Sequence, residues 1–267
     1  MMLKKRTHGA TLLKSVLESV RPTYNAPLLV KGSFLFLSDF EIPYHNAGFI
    51  NECFTIARAY NVVQCVWAGD AMHFEAFSPF PGNDSDADQE LSEIDEYLPG
   101  FLEPFRRVFY FMGNHDDRPQ RALDRKISNQ KALRIALSDD THEMFRRKVT
   151  MSEYYWCLAD FDWQLEHQKN NSMIPGRVAQ QLSAKFHKHI ITGHTHKVGA
   201  TKQNGLWAID AGCGVDVKRL AYPNLRHSTH TEMENGAVLM LARGGQYVPL
   251  HLIPERMDFE LWRAKRG

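Results

Sequence analysis

Apolar positions in this chain fall into two alternating patterns. Residues 8 to 20 place Leu12, Leu13, Val16, Leu17 and Val20 on one side of a short helix, until "RPTYNAP" breaks the run. That helix is expected to pack against the main domain. "SFLFLSD" is a continuous apolar run of the kind a central strand carries when both its faces are buried. "AGFINECFTIARAYN" has helical spacing, and "VVQCVWAGD" is a second buried strand. Strand, helix and strand in that order predict a parallel βαβ unit. "DADQELSEIDEYL" reads as a capped helix within an acidic segment, and "FRRVFYFMGNHDD" as a third strand running into a turn. "RPQRALDRKISNQKALRIAL" reads as surface helix, and "YYWCLADFDWQLEHQ" as two short strands around a turn at Ala159–Asp160. "GRVAQQLSAKFHK" is a helix and "HIITGHTHK" a strand ending in a turn. "GLWAIDAG", "GAVLMLARGG" and "QYVPLHLI" are three more strands. There is no internal repeat and no clear linker. The pattern predicts one α/β domain over 29–255, with a helical extension at 1–28, an acidic, largely solvated insert at 78–103 and a frayed basic tail at 256–267.

Composition narrows the class without naming it. A chain of 267 residues is ample for a real core, and a net charge of +1 gives no general push toward nucleic acid or membrane. Cys53, Cys65, Cys157 and Cys213 form no CxxC pair, so neither a zinc knuckle nor a disulfide framework is indicated. A reducing cytoplasm is the expected compartment. No apolar run approaches a membrane span, and no membrane partner is expected.

The chemistry gathers where the strands end. Asp39 and Glu41 follow the first strand, Asp70 the second, and Asn114, His115 and Asp116 the third. His167 follows a later strand, and His194 and His196 the one after it. Ligands of α/β sheets bind beyond strand C-termini, so these residues should share one crevice. Carboxylate, imidazole and amide oxygen without thiolate suit Mn, Fe, Zn or Mg, in a two-metal site rather than a structural zinc site.

"SDFE", "AGD", "GNHD" and "GHTH", in that order within residues 33 to 215, resemble the calcineurin-like metallophosphoesterases. The family pattern is D-x-H, G-D, G-N-H-[DE], a lone His and G-H-x-H. The resemblance implies a four-layer α/β/β/α sandwich with a binuclear metal centre, and in-line attack on a phosphate ester by a metal-bridging hydroxide. It implies Asp70 as the bridging ligand, Asp39 and His196 on the first metal, and Asn114, His167 and His194 on the second. His115 would act on the transition state or leaving oxygen, oriented by Asp116. His142, His187 and His189 compete with His167 for the lone-histidine role; the last two sit at the wrong end of their strand and His142 in a surface helix.

Glu41 stands where the family has histidine. Its longer reach allows ligation through oxygen, and a third carboxylate would harden the site toward Mn or Mg. Two divalent ions are therefore expected, Mn preferred, with Fe, Zn, Ni or Mg as alternatives. Glu41 outside the ligand shell, orienting water, is the other reading.

The expected activity is hydrolysis of phosphodiesters: a cyclic nucleotide, a small diester or a nucleic acid end. A phosphomonoesterase or Ser/Thr protein phosphatase is the alternative within enzymes, and a catalytically weak metal-binding scaffold the alternative outside them. Arg118 is a candidate phosphate-binding arginine. His45, after Tyr44, reads either as loop packing or as a crevice residue, and His73 with Phe74 as lining for the substrate entrance. His227 and His230 are more remote candidates. The sequence leaves the oligomeric state open.

Overall fold

The computed structural model describes residues 26–79, 86–167, 169–220 and 233–266. The expected helix at 8–20, the basic residues Lys4, Lys5 and Arg6, and His227 and His230 lie outside them. After a two-residue strand β1 (Leu29–Val30), the first apolar run forms β2 (Phe34–Leu37), with every residue buried. Side chains alternate across a strand, so Phe34 and Phe36 face one side and Leu35 and Leu37 the other, into separate apolar clusters. Helix α1 (Ala47–Ala59) is capped by Asn46, whose side chain accepts the Phe49 N–H, and leads to β3 (Gln64–Ala68), parallel to β2. The predicted βαβ unit is present.

Helix α2 (Ala87–Leu102) starts at Asp86, which accepts the N–H groups of Asp88 and Gln89, and β4 (Arg107–Phe111) adds in parallel to β3. The acidic insert is therefore not simply solvated. Ile94, Leu98, Phe101 and Leu102 of α2 are buried in the core, and so is Glu90. The stretch read as helical after "GNHDD" is broken into α3 (Arg118–Ala122) and α4 (Asn129–Ala136), and α5 (Asp139–Lys148) follows it. Asp124 and Arg125 at positive φ break it, and the side chains of Ser128 and Ser138 cap the later two helices.

The rest of the chain alternates β5 (Val149–Ser152), β6 (Trp156–Ala159), β7 (Trp163–Glu166), α6 (Arg177–Phe186), β8 (His189–Thr192), β9 (Val198–Gln203), β10 (Leu206–Ala211), β11 (Ala237–Arg243) and β12 (Gln246–Leu252). Two six-stranded sheets result, ordered β12-β11-β2-β3-β4-β5 and β1-β6-β7-β8-β10-β9. Phe34, Phe36, Val66 and Phe111 of the first sheet pack against Cys157, Trp163, Leu165 and Ile191 of the second. The first sheet's outer face carries α1 and α2, through Phe49, Phe54, Ile94 and Phe101. The second sheet's outer face carries α6, through Val178, Ala179 and Leu182 on Ile190 and Ala208. This is the four-layer α/β/β/α sandwich expected from the sequence.

The C-terminal segment departs from expectation. It is a helix, α7 (Met257–Arg266), rather than a frayed tail, and Met257 packs into the same core as α1. Among the described residues, no helix is long and apolar enough to cross a membrane.

Candidate metal centre

β2, β3 and β4 of one sheet and β7 and β8 of the other end at the same edge of the sandwich, and the predicted residues meet there. Asp39 joins the two sheets: Oδ2 accepts the His194 N–H at 2.8 Å, and Oδ1 lies 3.0 Å from His196 Nε2. Asp70 Oδ1 accepts the His115 N–H at 2.7 Å, and its Oδ2 lies 3.2 Å from His167 Nε2. Glu41 Oε1 is 3.4 Å from His196 Nε2. Asp39, Glu41, Asp70, His194 and His196 all have positive φ, at 52°, 49°, 50°, 71° and 55°. Such conformations each cost about 1–3 kcal/mol in non-glycine residues and persist where surrounding contacts fix them.

The motif glycines have a steric reason. A Cβ on Gly113 would lie 2.1 Å from Asp70 Oδ1, and one on Gly193 would lie 1.8 Å from Ser38 Oγ and 2.8 Å from Asp39 Oδ2. "GNHD" and "GHTH" need glycine because another strand's acid sits against their backbone.

Among the described residues, potential ligand atoms fall into three groups, the atoms of each lying within 4.8 Å of one another: Asp39, Asp70, His167 and His194; Asp39, Glu41 and His196; and Glu41, His73 and His115. The first two adjoin through Asp39. Buried atoms without a hydrogen-bond partner include Glu41 Oε1, Asn114 Oδ1, His115 Nδ1 and His167 Nε2. Unpaired buried polar atoms are costly, and so many in one crevice fit residues set to ligate a cation. The His167 tautomer follows from its neighbours: Nδ1–H donates to the Ala68 carbonyl at 2.8 Å, which leaves Nε2 facing the centre. Oxygen and imidazole donors fit divalent Mn, Fe, Zn or Mg.

The electrostatics are those of carboxylates held among imidazoles. Burial alone would depress His167, but the charges of Asp70 and Asp39 lift it to about 10. Burial and the neighbouring His167 push His194 down to about 4. Asp70 is held well below the usual carboxylate range; burial opposes this, and His115 and His167 outweigh it.

Three predicted residues, Asp116, Arg118 and His73, have other roles in the structure than those expected, and His45 keeps the plainer of its two readings. Asp116 does not orient His115. Its carboxylate accepts backbone N–H groups from Asp70, Ala71, Met72 and Gly113 at 2.7–3.2 Å, clamping the turn that carries Asp70. Burial and the Asp70 charge push it up to about 7, against the pull of those donors. Arg118 is buried and committed: Nη1 donates to the His73 carbonyl at 2.7 Å and to Glu75 Oε2 at 3.3 Å, so it is no free phosphate clamp. His45 packs its ring edge-on against Tyr97 and Phe101 at 5.2 and 5.0 Å, and burial with Arg219 nearby pushes it down to about 4. It belongs to none of the three groups, and loop packing is the reading that stands.

His73 is not an entrance residue. It is 3% exposed and lies between two carboxylates, Nδ1 on Glu41 Oε2 and Nε2 on Glu75 Oε2. Burial opposes its charge, but Glu41 and Glu75 raise it to about 9. Glu75 and Glu90 were not anticipated. Glu90 of α2 accepts the N–H groups of Glu75 and Ala76 at 2.7 and 2.9 Å, and no sequence signal pairs an acid in the insert with that turn. The competing histidines stay away from the centre: His142 lies in α5, His187 follows α6, and His189 stacks on Trp163 at the start of β8.

No protein-family model matches the sequence, and no curated protein matches it. Among solved structures the likenesses found are low. An archaeal phosphodiesterase is 12% identical, with 82% of this chain and 99% of that one covered, at a TM-score of 0.43. Vps29 from Entamoeba histolytica, as a single mutant, is 13% identical over 83% and 98%, at 0.39. Vacuolar protein sorting 29 from Cryptosporidium parvum is 16% identical over 83% and 96%, at 0.37. Function is therefore read from the side chains rather than from these neighbours.

Proposed function

We propose that this chain is a metal-dependent phosphoesterase of the calcineurin-like type, acting on phosphodiesters such as a cyclic nucleotide, a small diester or a nucleic acid end. The observation that carries the reading is the meeting of Asp39, Glu41, Asp70, His167, His194 and His196 at one edge of two sheets, with Glu41 Oε1, Asn114 Oδ1 and His167 Nε2 buried and unpaired. Asp39, Glu41 and His196 would hold one divalent ion and Asn114, His167 and His194 a second; the resemblance makes Asp70 common to both, while the carboxylate that the two groups share in the structure is Asp39, and manganese is the preferred metal for so carboxylate-rich a set. Bound there, such ions supply Lewis-acid charge to phosphoryl oxygens and lower the pKa of water.

The chain's own groups do the rest. His115 receives its position from its backbone N–H on Asp70, and its ring sits 3.7 Å from Glu41 and 3.8 Å from Asp70. Burial holds its pKa below the ordinary imidazole value, against the raising effect of those two carboxylates. The neutral ring offers an N–H to a phosphoryl or leaving oxygen. Asp116 keeps the Asp70 turn rigid, which fixes the Asp70 carboxylate before substrate arrives. With Arg118 committed to His73 and Glu75, the described part of the site lacks the arginine clamp that a phosphomonoester dianion would favour; this supports the diester over the monoester.

The test is hydrolysis of bis(p-nitrophenyl) phosphate against p-nitrophenyl phosphate by metal-stripped protein with manganese added back, beside Asn114→Ala and His115→Ala. Manganese-dependent diester cleavage, lost in both variants, is expected. Preference for the monoester would move the assignment to the phosphatase class, and inactivity on both with metal bound would favour a scaffold.

A further inference from the structure

The Glu41 carboxylate is not free to rotate. Oε2 accepts a hydrogen bond from His73 Nδ1, while Oε1 is buried, unpaired, and directed toward His196 at 3.4 Å. His73 is itself held from behind. Its Nε2 donates to Glu75 Oε2 at 2.6 Å, and Arg118 Nη1 grips both the His73 carbonyl and Glu75. Glu90 then fixes the Glu75–Phe77 turn through the N–H groups of Glu75 and Ala76. The series runs from α2 through Glu90, Glu75 and His73 to Glu41.

We propose that His73, backed by Glu75 and Arg118, is a positioning residue that makes Glu41 a one-oxygen ligand, so that the glutamate–histidine pair takes the place of the single imidazole at this point of the centre. The inference rests on the metal-binding reading above. His73 is not itself the replacement ligand, because both its nitrogens face carboxylate oxygens and it groups only with Glu41 and His115, not with Asp39 and His196. A carboxylate with one oxygen pinned presents the other at a fixed point. Unpinned, Glu41 can swing both oxygens toward the cation or turn away, and side-chain freedom opposes binding.

The test is a manganese titration of metal-stripped full-length protein by calorimetry, for the wild type, His73→Ala, Glu41→Ala and the double variant, with thermal melts to establish folding. His73→Asn is added because its amide N–H stands in for Nδ1–H. Partners behind a metal ligand typically govern affinity by about 10- to 100-fold. His73→Ala is expected to weaken one of two sites by that factor, to cost under about threefold more in the Glu41→Ala background, and to be largely rescued by asparagine. Equal losses in both backgrounds would make His73 an independent ligand and overturn the inference, as would unchanged affinity in a folded His73→Ala. A wild type that binds no manganese would overturn the metal reading and this inference together, which separates that failure from the other two.

Discussion

Asp116→Asn keeps the side chain's shape and changes what one arm offers. Oδ2 accepts the N–H groups of Asp70 and Gly113 at 2.7 and 2.8 Å, and Oδ1 those of Ala71 and Met72 at 3.0 and 3.2 Å. Either orientation of an asparagine amide sets an NH2 against two of these donors. A buried N–H left without an acceptor costs about 1–3 kcal/mol, so the substitution should cost about 2–6 kcal/mol. That is a large part of the roughly 5–15 kcal/mol that holds a domain folded. At about 2–4 °C per kcal/mol for a chain of this size, a midrange loss of ~3 kcal/mol lowers Tm by roughly 6–12 °C. The assay is a thermal melt of metal-stripped protein followed by circular dichroism. Asn114→Ala is the comparison, since Asn114 Oδ1 is buried without a partner and its removal breaks no hydrogen bond among the described residues. It should melt within about 2 °C of the wild type on the usual scale for substitutions outside any network. An Asp116→Asn melt equally close to the wild type would refute the clamp and return Asp116 to the role of orienting His115.

Other consequences separate scaffold from site. Manganese at a hundred times its Kd should stabilise the stripped wild type by about 2.7 kcal/mol, and Asn114→Ala and His167→Ala should lose much of that gain in a thermal-shift titration. Gly113→Ala should abolish high-affinity manganese uptake or folding, because its Cβ would lie 2.1 Å from Asp70 Oδ1 and 2.3 Å from Asp70 N. Gly100→Ala, within α2 with nothing within 4 Å of the added carbon, should instead raise stability by about 0.5–1 kcal/mol, read by urea denaturation. His45 is pushed down from 6.5 to about 4, so the unfolded chain takes up its proton first as pH falls. Its contribution is therefore complete above pH 6.5 and lost between about 6.5 and 4, worth about 1–2 kcal/mol after discounting for partial exposure. His45→Phe should flatten the stability profile across that window, and an unchanged slope would assign the acid sensitivity to another group.

The parts of the fold that were legible are those where burial is extreme. β2, β3 and β4 are covered on both faces, so their apolar runs are continuous and their ends are marked by the acids and the amide that come next in the chain. β9 (Val198–Gln203) escaped notice because it is an edge strand with no fully buried residue, and its sequence carries no clean alternation. The break between α3 and α4 hid within a run of good helix formers, although Ser128 stood at a cap position. α7 read as a charged tail because what pins it, the packing of Met257 into the core, depends on its meeting other parts of the chain.

The candidate site divides along the same line. Asp39, Asp70, Asn114, His167, His194 and His196 each end a strand or begin the turn after one, and a parallel sheet brings such positions together whatever the loops do. The readings that changed concern residues whose partner is chosen by loop geometry. His73 and Glu41 are 32 positions apart, Arg118 and His73 45, and Asp116 and Asp70 46. No periodicity in the sequence encodes which of these loops touch. Glu41, which the resemblance sets in a histidine's place, shows why this matters for chemistry. Taken alone, glutamate for histidine reads as a weakened or lost ligand, because it adds negative charge and rotational freedom. With His73 against it, the proposed pair would regain an imidazole beside the centre and lose the freedom, so the histidine that the resemblance implies would have a counterpart on a different strand's turn. In the proposed centre, binding of a cation at Glu41 would therefore be a property of Glu41, His73 and Glu75 together, and a variant at any one of them has to be read against the other two.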